Sequence, residues 1–311
     1  MLMSPSTATL LGVIGMALLA ISWFGRNKSM TRIAQVGWVF VGLYFFNDSF
    51  RYLEHDDVVL VIMSALTLPM ALAMAWWEGQ ETSEGTRNAQ NWARGAVAFA
   101  GGPYLLIAHM PWLNVIAIWI VASQSAWMLR FSGGQDIQLG ETWVNTDAGV
   151  VTWDAWEGNR WFSAEMIGEY PIHTELILAD GSMIGINFVL ACTALQSLVV
   201  FIGAISVLDI DWKRRLRALF LVVATIHILN IFRNAGLIWM HLTYTTWEFN
   251  GLSVFDFGHA YVARAVSLFA MFLMALIMFD ILPELHKHIL RLLKPLTARN
   301  GKSDSKQFES E

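Results

Sequence analysis

Long apolar runs recur from one end of the chain to the other, separated by shorter polar segments. Most of them approach the roughly 20 residues that a helix needs to cross about 30 Å of hydrocarbon. Backbone groups inside hydrocarbon must be hydrogen-bonded internally, so the runs predict helices rather than open strands. The eight candidate spans are residues 7–24, 33–46, 58–77, 96–110, 112–129, 184–208, 219–240 and 261–282.

This pattern predicts an all-α fold, a polytopic integral membrane helical bundle of about seven or eight spans with one extracytoplasmic loop region. The second run is short, and Pro111 separates the fourth and fifth as a tight turn or a re-entrant corner. We expect four parts: N-terminal transmembrane helices at 1–131, a loop at 132–183, three further transmembrane helices at 184–282 and a basic tail at 283–311.

The two long polar segments differ in charge. Residues 132–182 contain nine acidic residues and one basic residue, Arg160, together with four tryptophans. Residues 149–153 and 173–178 of this loop have the composition of short strands. The first half of the tail is amphipathic as well as basic, which predicts a helix lying on the membrane surface.

Basic loops of membrane proteins stay on the cytoplasmic side, which orients the C-terminal half. The cluster at residues 213–217 and the tail are predicted to be cytoplasmic, and the acidic loop extracytoplasmic. By the same rule Arg26, Lys28 and Arg32 belong on the cytoplasmic side, so either one of the first five segments does not cross the membrane or this cluster is an exception to the rule. The side of the N-terminus therefore stays open.

The composition supports a membrane protein. The chain is 56% hydrophobic and 14% charged, whereas soluble domains have about 25% charged residues. The net charge of −5 gives no support for nucleic-acid binding. Cys192 is the single cysteine, so a disulfide within the chain is excluded. We predict neither a cofactor nor a metal site.

Three unusual residues fall at one depth in the last three predicted helices. Cys192 lies about eight residues below the outer end of its run, and Arg233 and Arg264 each lie about seven below theirs. At 1.5 Å per residue, all three are roughly 10–12 Å from the outer surface. A lone cysteine is commonly an inert core residue, and Arg264 can snorkel. An intramembrane arginine costs about 2.5–3.5 kcal/mol, however, so the coincidence favours a joint site.

The chemistry of such a site follows from the side chains. A thiol attacks as its thiolate, which a guanidinium stabilises, and a second guanidinium can bind the oxyanion formed at a carbonyl. Arginine does not deprotonate, so it cannot act as the base. His259, with Asp256 to orient it, is the candidate proton acceptor, and an interfacial histidine is the equally weighted alternative.

Three neighbouring amides are auxiliary candidates. Asn230 and Asn234 flank Arg233 and are placed to hold its guanidinium. Gln196, one turn from Cys192 in a continuous helix, is placed to donate to an oxyanion or to bond across helices.

The segments around these residues resemble signature segments of the exosortase/archaeosortase family. They read Ala-Cys-Thr-Ala-Leu-Gln-Ser at 191–197, Asn-Ile-Phe-Arg-Asn at 230–234 and His-Ala-Tyr-Val-Ala-Arg at 259–264. Family members are multi-span membrane proteins with an essential cysteine, an essential arginine and a third residue that is histidine or arginine. The resemblance implies that Cys192 is the nucleophile, that Arg233 is the essential arginine and that Arg264 is the third essential residue.

The resemblance also implies an activity and its setting. Such proteins are membrane thiol peptidases or transpeptidases that process secreted proteins with a three-part C-terminal sorting signal, namely a Pro-Gly-Phe-type motif, an apolar helix and a basic end. Cleavage is thought to be coupled to attachment of the new C-terminus to a membrane lipid, with water as the alternative acceptor. The implied location is the cytoplasmic membrane, with the site facing the extracytoplasmic side.

Other functions remain open at this stage. Arg233 and Arg264 also suit a transporter or channel for an anionic substrate, in which Cys192 would be incidental. A bacterial-type exosortase acting on a Pro-Glu-Pro signal and a non-catalytic assembly factor are further alternatives. The acidic loop either covers the site or is a solvated loop with tryptophans at the interface.

Overall fold

The computed structural model describes residues 3–25, 30–54, 58–80, 83–162, 166, 168, 170–249 and 251–297. These residues are mostly helical, as the apolar runs predict. The helices are α1 (Pro5–Gly25), α2 (Met30–Glu54), α3 (Val58–Glu78), α4 (Glu84–His109), α5 (Pro111–Phe131), α6 (Leu195–Ser206), α7 (Trp212–Thr243), α8 (Val254–Phe257), α9 (Ala263–Ile281) and α10 (Pro283–Thr297). The strands are β1 (Ile137–Thr146), β2 (Gly149–Thr152), β3 (Ile172–Leu178), β4 (Met183–Phe188), β5 (Glu248–Phe249) and β6 (Leu252–Ser253).

Helices long and apolar enough to cross a membrane run through the described part of the chain. Five qualify by length and composition: Ser6–Gly25, Val58–Glu78, Pro111–Phe131, Trp212–Thr243 and Val254–Ile281. The predicted run at 33–46 lies within α2, and the run at 96–110 lies within α4 except for Met110. Both helices also contain polar residues, and neither is among the five that qualify. A membrane helical protein is confirmed, whereas a count of seven or eight spans stays a prediction.

The loop at 132–183 corrects the expectation of an all-α fold. It builds most of a four-stranded antiparallel sheet in the order β2-β1-β3-β4. The short strands predicted at 149–153 and 173–178 are confirmed as β2 and β3. Because this segment alternates apolar and polar positions between turns, its backbone pairs strand to strand instead of forming helices.

The run at 184–208 is the second correction. Its first five residues belong to β4, and α6 begins only at Leu195. Within β4, alternate side chains are buried, namely Ile184, Ile186 and Phe188. A continuous apolar run does not distinguish a buried strand from a helix, so the prediction of one spanning helix here is wrong.

The described chain divides into two compact units. The first comprises residues 1–102, 202–218 and 277–311. Within it, α1 packs closely on α2, where a side chain at Gly12 would meet the ring of Tyr44 at 2.9 Å. The carboxylate of Glu78 is buried and accepts from Arg94 Nε at 2.7 Å. This pairing satisfies a charge that would be costly to bury alone.

Helix α10 belongs to this first unit and begins the predicted tail. Arg214 and Glu284 form an ion pair of 3.0 Å beside its start. The tail prediction of an amphipathic helix is confirmed over 283–297. Residues 298–311, as well as Arg26 and Lys28, lie outside the described residues.

The second unit comprises residues 103–201 and 219–276 and contains every candidate site residue. Its core is formed by the inner face of the sheet against α5, with Ala235 and Ile238 of α7 added at one side. Trp119 Nε1 on α5 donates to Thr142 Oγ1 on β1 at 2.8 Å, which ties helix and sheet together. The sheet is therefore packed on α5, and β4 leads from it into the site.

Candidate active site

A tight turn carries Cys192 from the sheet to α6. Val189 is extended, residues Leu190–Thr193 form one 3-10 turn, and Cys192 N donates to Val189 O at 2.9 Å. Ala194 then adopts the left-handed conformation at φ 55°, which a residue with a Cβ rarely adopts. Thr193 Oγ1 donates to Leu190 O at 2.6 Å and accepts from Leu195 N at 3.3 Å. These local bonds fix the turn before the first residue of α6.

Two asparagines of α7 hold this turn by its backbone. Asn230 Nδ2 and Asn234 Nδ2 both donate to the carbonyl oxygen of Cys192, at 2.7 and 2.9 Å. Both side chains are buried. Residues four apart lie on one face of a helix, so the two amides converge on a single acceptor. Asn230 is thus bound to the cysteine backbone, and the sequence did not foresee this role.

The Cys192 side chain is half-buried and packs against the apolar core of the sheet. Burial raises the pKa of the Cys192 thiol, while the hydrogen bond with Val189 and the charge of Arg233 act in the opposite direction. The expectation that a guanidinium counteracts desolvation of the thiol therefore has a structural basis at Arg233.

Arg233 and Arg264 line one polar cavity of about 180 Å³. Arg233 Nη1 donates to Asn234 Oδ1 at 3.2 Å, so Asn234 bridges the guanidinium and the Cys192 carbonyl. Ala191 and Ala194, on either side of Cys192 in the chain, also line this cavity. The structure therefore brings both arginines together next to the cysteine turn, as the matching depths predict.

A π-helical turn at Gly258–Val262 precedes Arg264. Such turns insert an extra residue into a helix and re-aim the side chains around them. His259 lies in this turn, its ring stacked on Phe255 at 5.6 Å between centroids. The carboxylate of Asp256 accepts from Ser253 Oγ at 2.7 Å, which differs from the expected contact with His259. Ser253 Oγ caps α8 by accepting from Asp256 N at 3.1 Å.

Gln196 lines the cavity from α6, where its Nε2 donates to the hydroxyl of Tyr104 at 3.2 Å. The expectation that it lies one helical turn from Cys192 is wrong, since the left-handed Ala194 interrupts the helix between them. Tyr104, Tyr170, Ser197 and Ser267 also line the cavity, and sequence reasoning did not select them. The one available signal was at Ser267, three residues after Arg264 and hence on the same helical face.

The comparisons with known proteins point the same way. No family model matches the chain, and no solved structure matches it. Among curated proteins, archaeosortase A of Haloferax volcanii is 24% identical over 213 residues, which cover 67% of this chain and 63% of that protein. The chain therefore spans somewhat less than two thirds of the length of that relative. This similarity supports the resemblance to the exosortase/archaeosortase family that the motifs around Cys192, Arg233 and Arg264 indicate.

Proposed function

We propose that the chain is a membrane thiol transpeptidase of the archaeosortase kind. It processes the C-terminal sorting signal of secreted proteins, with Cys192 as nucleophile and Arg233 and Arg264 as charge-stabilising residues. The observation that carries the proposal is the double hydrogen bond from Asn230 and Asn234 to the Cys192 carbonyl. This contact fixes the cysteine turn against the helix that presents Arg233.

The first chemical step is attack of the Cys192 thiolate on a peptide carbonyl held in the polar cavity. A carbon–sulfur bond forms, and the carbonyl oxygen becomes an oxyanion. Guanidinium groups beside that oxygen stabilise the developing charge. Because Sγ packs on the sheet core, the step includes a rotation of the Cys192 side chain toward the cavity.

The intermediate then collapses to a thioester. The carbon–nitrogen bond breaks, and the amine of the signal's apolar segment leaves with a proton. His259 is the candidate that receives the thiol proton and returns it to the amine. A nucleophile from a membrane lipid then attacks the thioester, forms the new C-terminal linkage and restores the thiol, whereas water in its place gives simple cleavage.

The setting of the proposal is a multi-pass protein of the cytoplasmic membrane with its site on the extracytoplasmic side. A substrate helix held by its basic end on the cytoplasmic side presents its cleavage motif at the level of Cys192. The sheet formed by residues 137–188 stands next to the cysteine turn and is suited to receive the extended segment before that helix.

The test co-expresses the full chain with a secreted protein ending in Pro-Gly-Phe, an apolar helix and a basic tail. The mass of the product's C-terminus reports cleavage and any attached lipid. Cys192→Ala is expected to abolish processing, with a loss of at least about 10³-fold as for other catalytic nucleophiles.

Ser197→Ala is the matched control, because Ser197 lines the same cavity without a chemical role in the proposed step. It should retain most of the processing. Thermal unfolding of both variants checks that each is folded. Full processing by a folded Cys192→Ala protein would exclude the thiol mechanism, and transport of an anion by that variant would favour the transporter alternative.

A further inference from the structure

An apolar groove of about 400 Å³ lies between α7 and α9 and adjoins the polar cavity. One wall is the face of α7 that includes Leu229, Phe232 and Gly236, and the other is the face of α9 that includes Val266 and Ala270. Phe232 and Val266 are exposed, as expected for side chains that face lipid. The groove also includes Arg233 and Ser267, which line the polar cavity as well. The apolar groove therefore ends at the polar cavity that the two arginines line.

The groove extends along about three turns of α9. From Ala263 to Met274, its α9 wall is about 16.5 Å long at 1.5 Å per residue. Gly236 contributes to this space, since a Cβ added there would meet nothing within 4 Å.

Both arginines lie near the end of the hydrocarbon layer. The basic segment that starts α7 ends at Arg217, and Arg233 follows Ala218 by about 22 Å of helix. Arg264 is about 24 Å from Asp280 at the corresponding end of α9. In a layer of about 30 Å, the two guanidiniums are within one side-chain length of the opposite boundary, where lipid phosphates lie.

The charges that line the polar cavity and the groove favour an anionic ligand. Their lining residues include two guanidiniums and no aspartate or glutamate among the residues that the structure describes. Arg233 Nε is buried and has no hydrogen-bond acceptor within that part of the chain. Phosphate oxygens are strong acceptors for guanidinium groups, which they bind in a bidentate manner.

We propose that this groove binds a membrane phospholipid, with one hydrocarbon chain between α7 and α9 and the phosphate against Arg233 and Arg264. The inference rests on the proposed function in one respect, because it identifies the bound lipid as the nucleophile that resolves the thioester. The headgroup beyond the phosphate then enters the polar cavity, where Ala191 and Ala194 mark the position of the cysteine turn.

The experiment uses the full-length Cys192→Ala protein in lipid bilayers that contain a phospholipid with a photoreactive diazirine in one tail. After irradiation, adducts are mapped by mass spectrometry, and we expect them on the groove faces of α7 and α9. Gly236→Trp fills the groove and should lower labelling about tenfold, equivalent to about 1.4 kcal/mol. Gly102→Trp is the matched control, because a side chain at Gly102 also meets nothing within 4 Å and Gly102 lies outside both cavity linings.

The phosphate is tested with a diacylglycerol that carries the same diazirine tail. Arg233→Gln and Arg264→Gln should weaken labelling by the phospholipid and leave labelling by the uncharged analogue unchanged. Equal labelling of Gly236→Trp and Gly102→Trp would overturn the inference. Displacement of the lipid by an apolar helical peptide, with no effect of the arginine variants, would also overturn it and identify a substrate helix as the occupant.

This readout does not depend on catalysis. Lipid labelling together with failed processing by the unmodified protein would contradict the proposed function alone. Processing without groove labelling would contradict only the lipid site.

Discussion

Cys192 and Arg233 form a pair in which burial and charge oppose each other. Burial against the sheet core raises the pKa of the Cys192 thiol, and the charge of Arg233 lowers it. Of the two guanidiniums, Arg233 is the one whose charge acts on the thiol, whereas the charge of Arg264 acts on Arg233. Because Cys192 is the single cysteine of the chain, thiol chemistry on the intact protein reports this balance without ambiguity.

Arg233→Gln is therefore expected to raise the pKa of Cys192 further. The thiolate fraction at a given pH then falls, and the profile of alkylation rate against pH moves toward higher pH. Iodoacetamide labelling between about pH 7 and 10, which includes the ordinary thiol pKa of about 8.5, measures the shift. The plateau rate at high pH reports access to the thiol and separates it from ionisation.

Arg264→Gln is the matched control for this measurement. It removes the same charge from the same cavity, and its profile should stay close to that of the unmodified protein. Equal shifts in both variants would mean that the general field of the cavity, rather than Arg233, stabilises the thiolate.

At the scale of elements, the decisive contact joins α7 to the turn between β4 and α6. Two amides one helical turn apart share one partly buried carbonyl as their acceptor. Either hydrogen bond alone still satisfies the carbonyl, whereas loss of both leaves a partly buried acceptor unpaired. The free energy of unfolding should therefore respond to the two asparagines in a coupled way.

Asn230→Ala and Asn234→Ala are each expected to destabilise the protein by about 1 kcal/mol. The double variant should cost more than the sum, since leaving a buried acceptor unpaired costs about 1–3 kcal/mol, which is the upper limit for this partly buried carbonyl. Thermal or denaturant unfolding in detergent, followed as a double-mutant cycle, measures the coupling.

Asn187→Ala on β4 is the control, because that side chain is exposed and the change should stay within about 0.5 kcal/mol. Strict additivity of the two α7 variants would show that the shared acceptor does not connect α7 to the cysteine turn.

At the scale of the whole molecule, charge is segregated along the chain. The acidic loop contains the sheet, and the basic residues gather at the start of α7 and on α10. This distribution predicts that the sheet is extracytoplasmic and that α10 is cytoplasmic.

Single cysteines introduced into the Cys192→Ala protein test this orientation in cells. Val150→Cys on β2 and Lys287→Cys on α10 are both exposed positions. A membrane-impermeant maleimide should label Val150→Cys in intact cells and Lys287→Cys only after permeabilisation. Labelling of both in intact cells, with a cytoplasmic marker protein unlabelled, would contradict the predicted topology.

The sequence by itself determined that this is a helical membrane protein, that the tail begins with an amphipathic helix, and which residues are candidates for the site. Length and apolarity suffice for the helices because hydrocarbon requires internal hydrogen bonding. The rare polar residues in the apolar runs pointed to Cys192, Arg233 and Arg264, since such residues are expensive at that depth.

Only the tertiary structure decided how Cys192 reaches the two arginines. Residues 184–188 form a strand because the preceding strand, β3, pairs with them, and the hydropathy of this run does not show that pairing. The left-handed Ala194 and the amides of Asn230 and Asn234 then set the cysteine turn. The two asparagine hydrogen bonds join residues about 40 positions apart, so local sequence patterns could not reveal them.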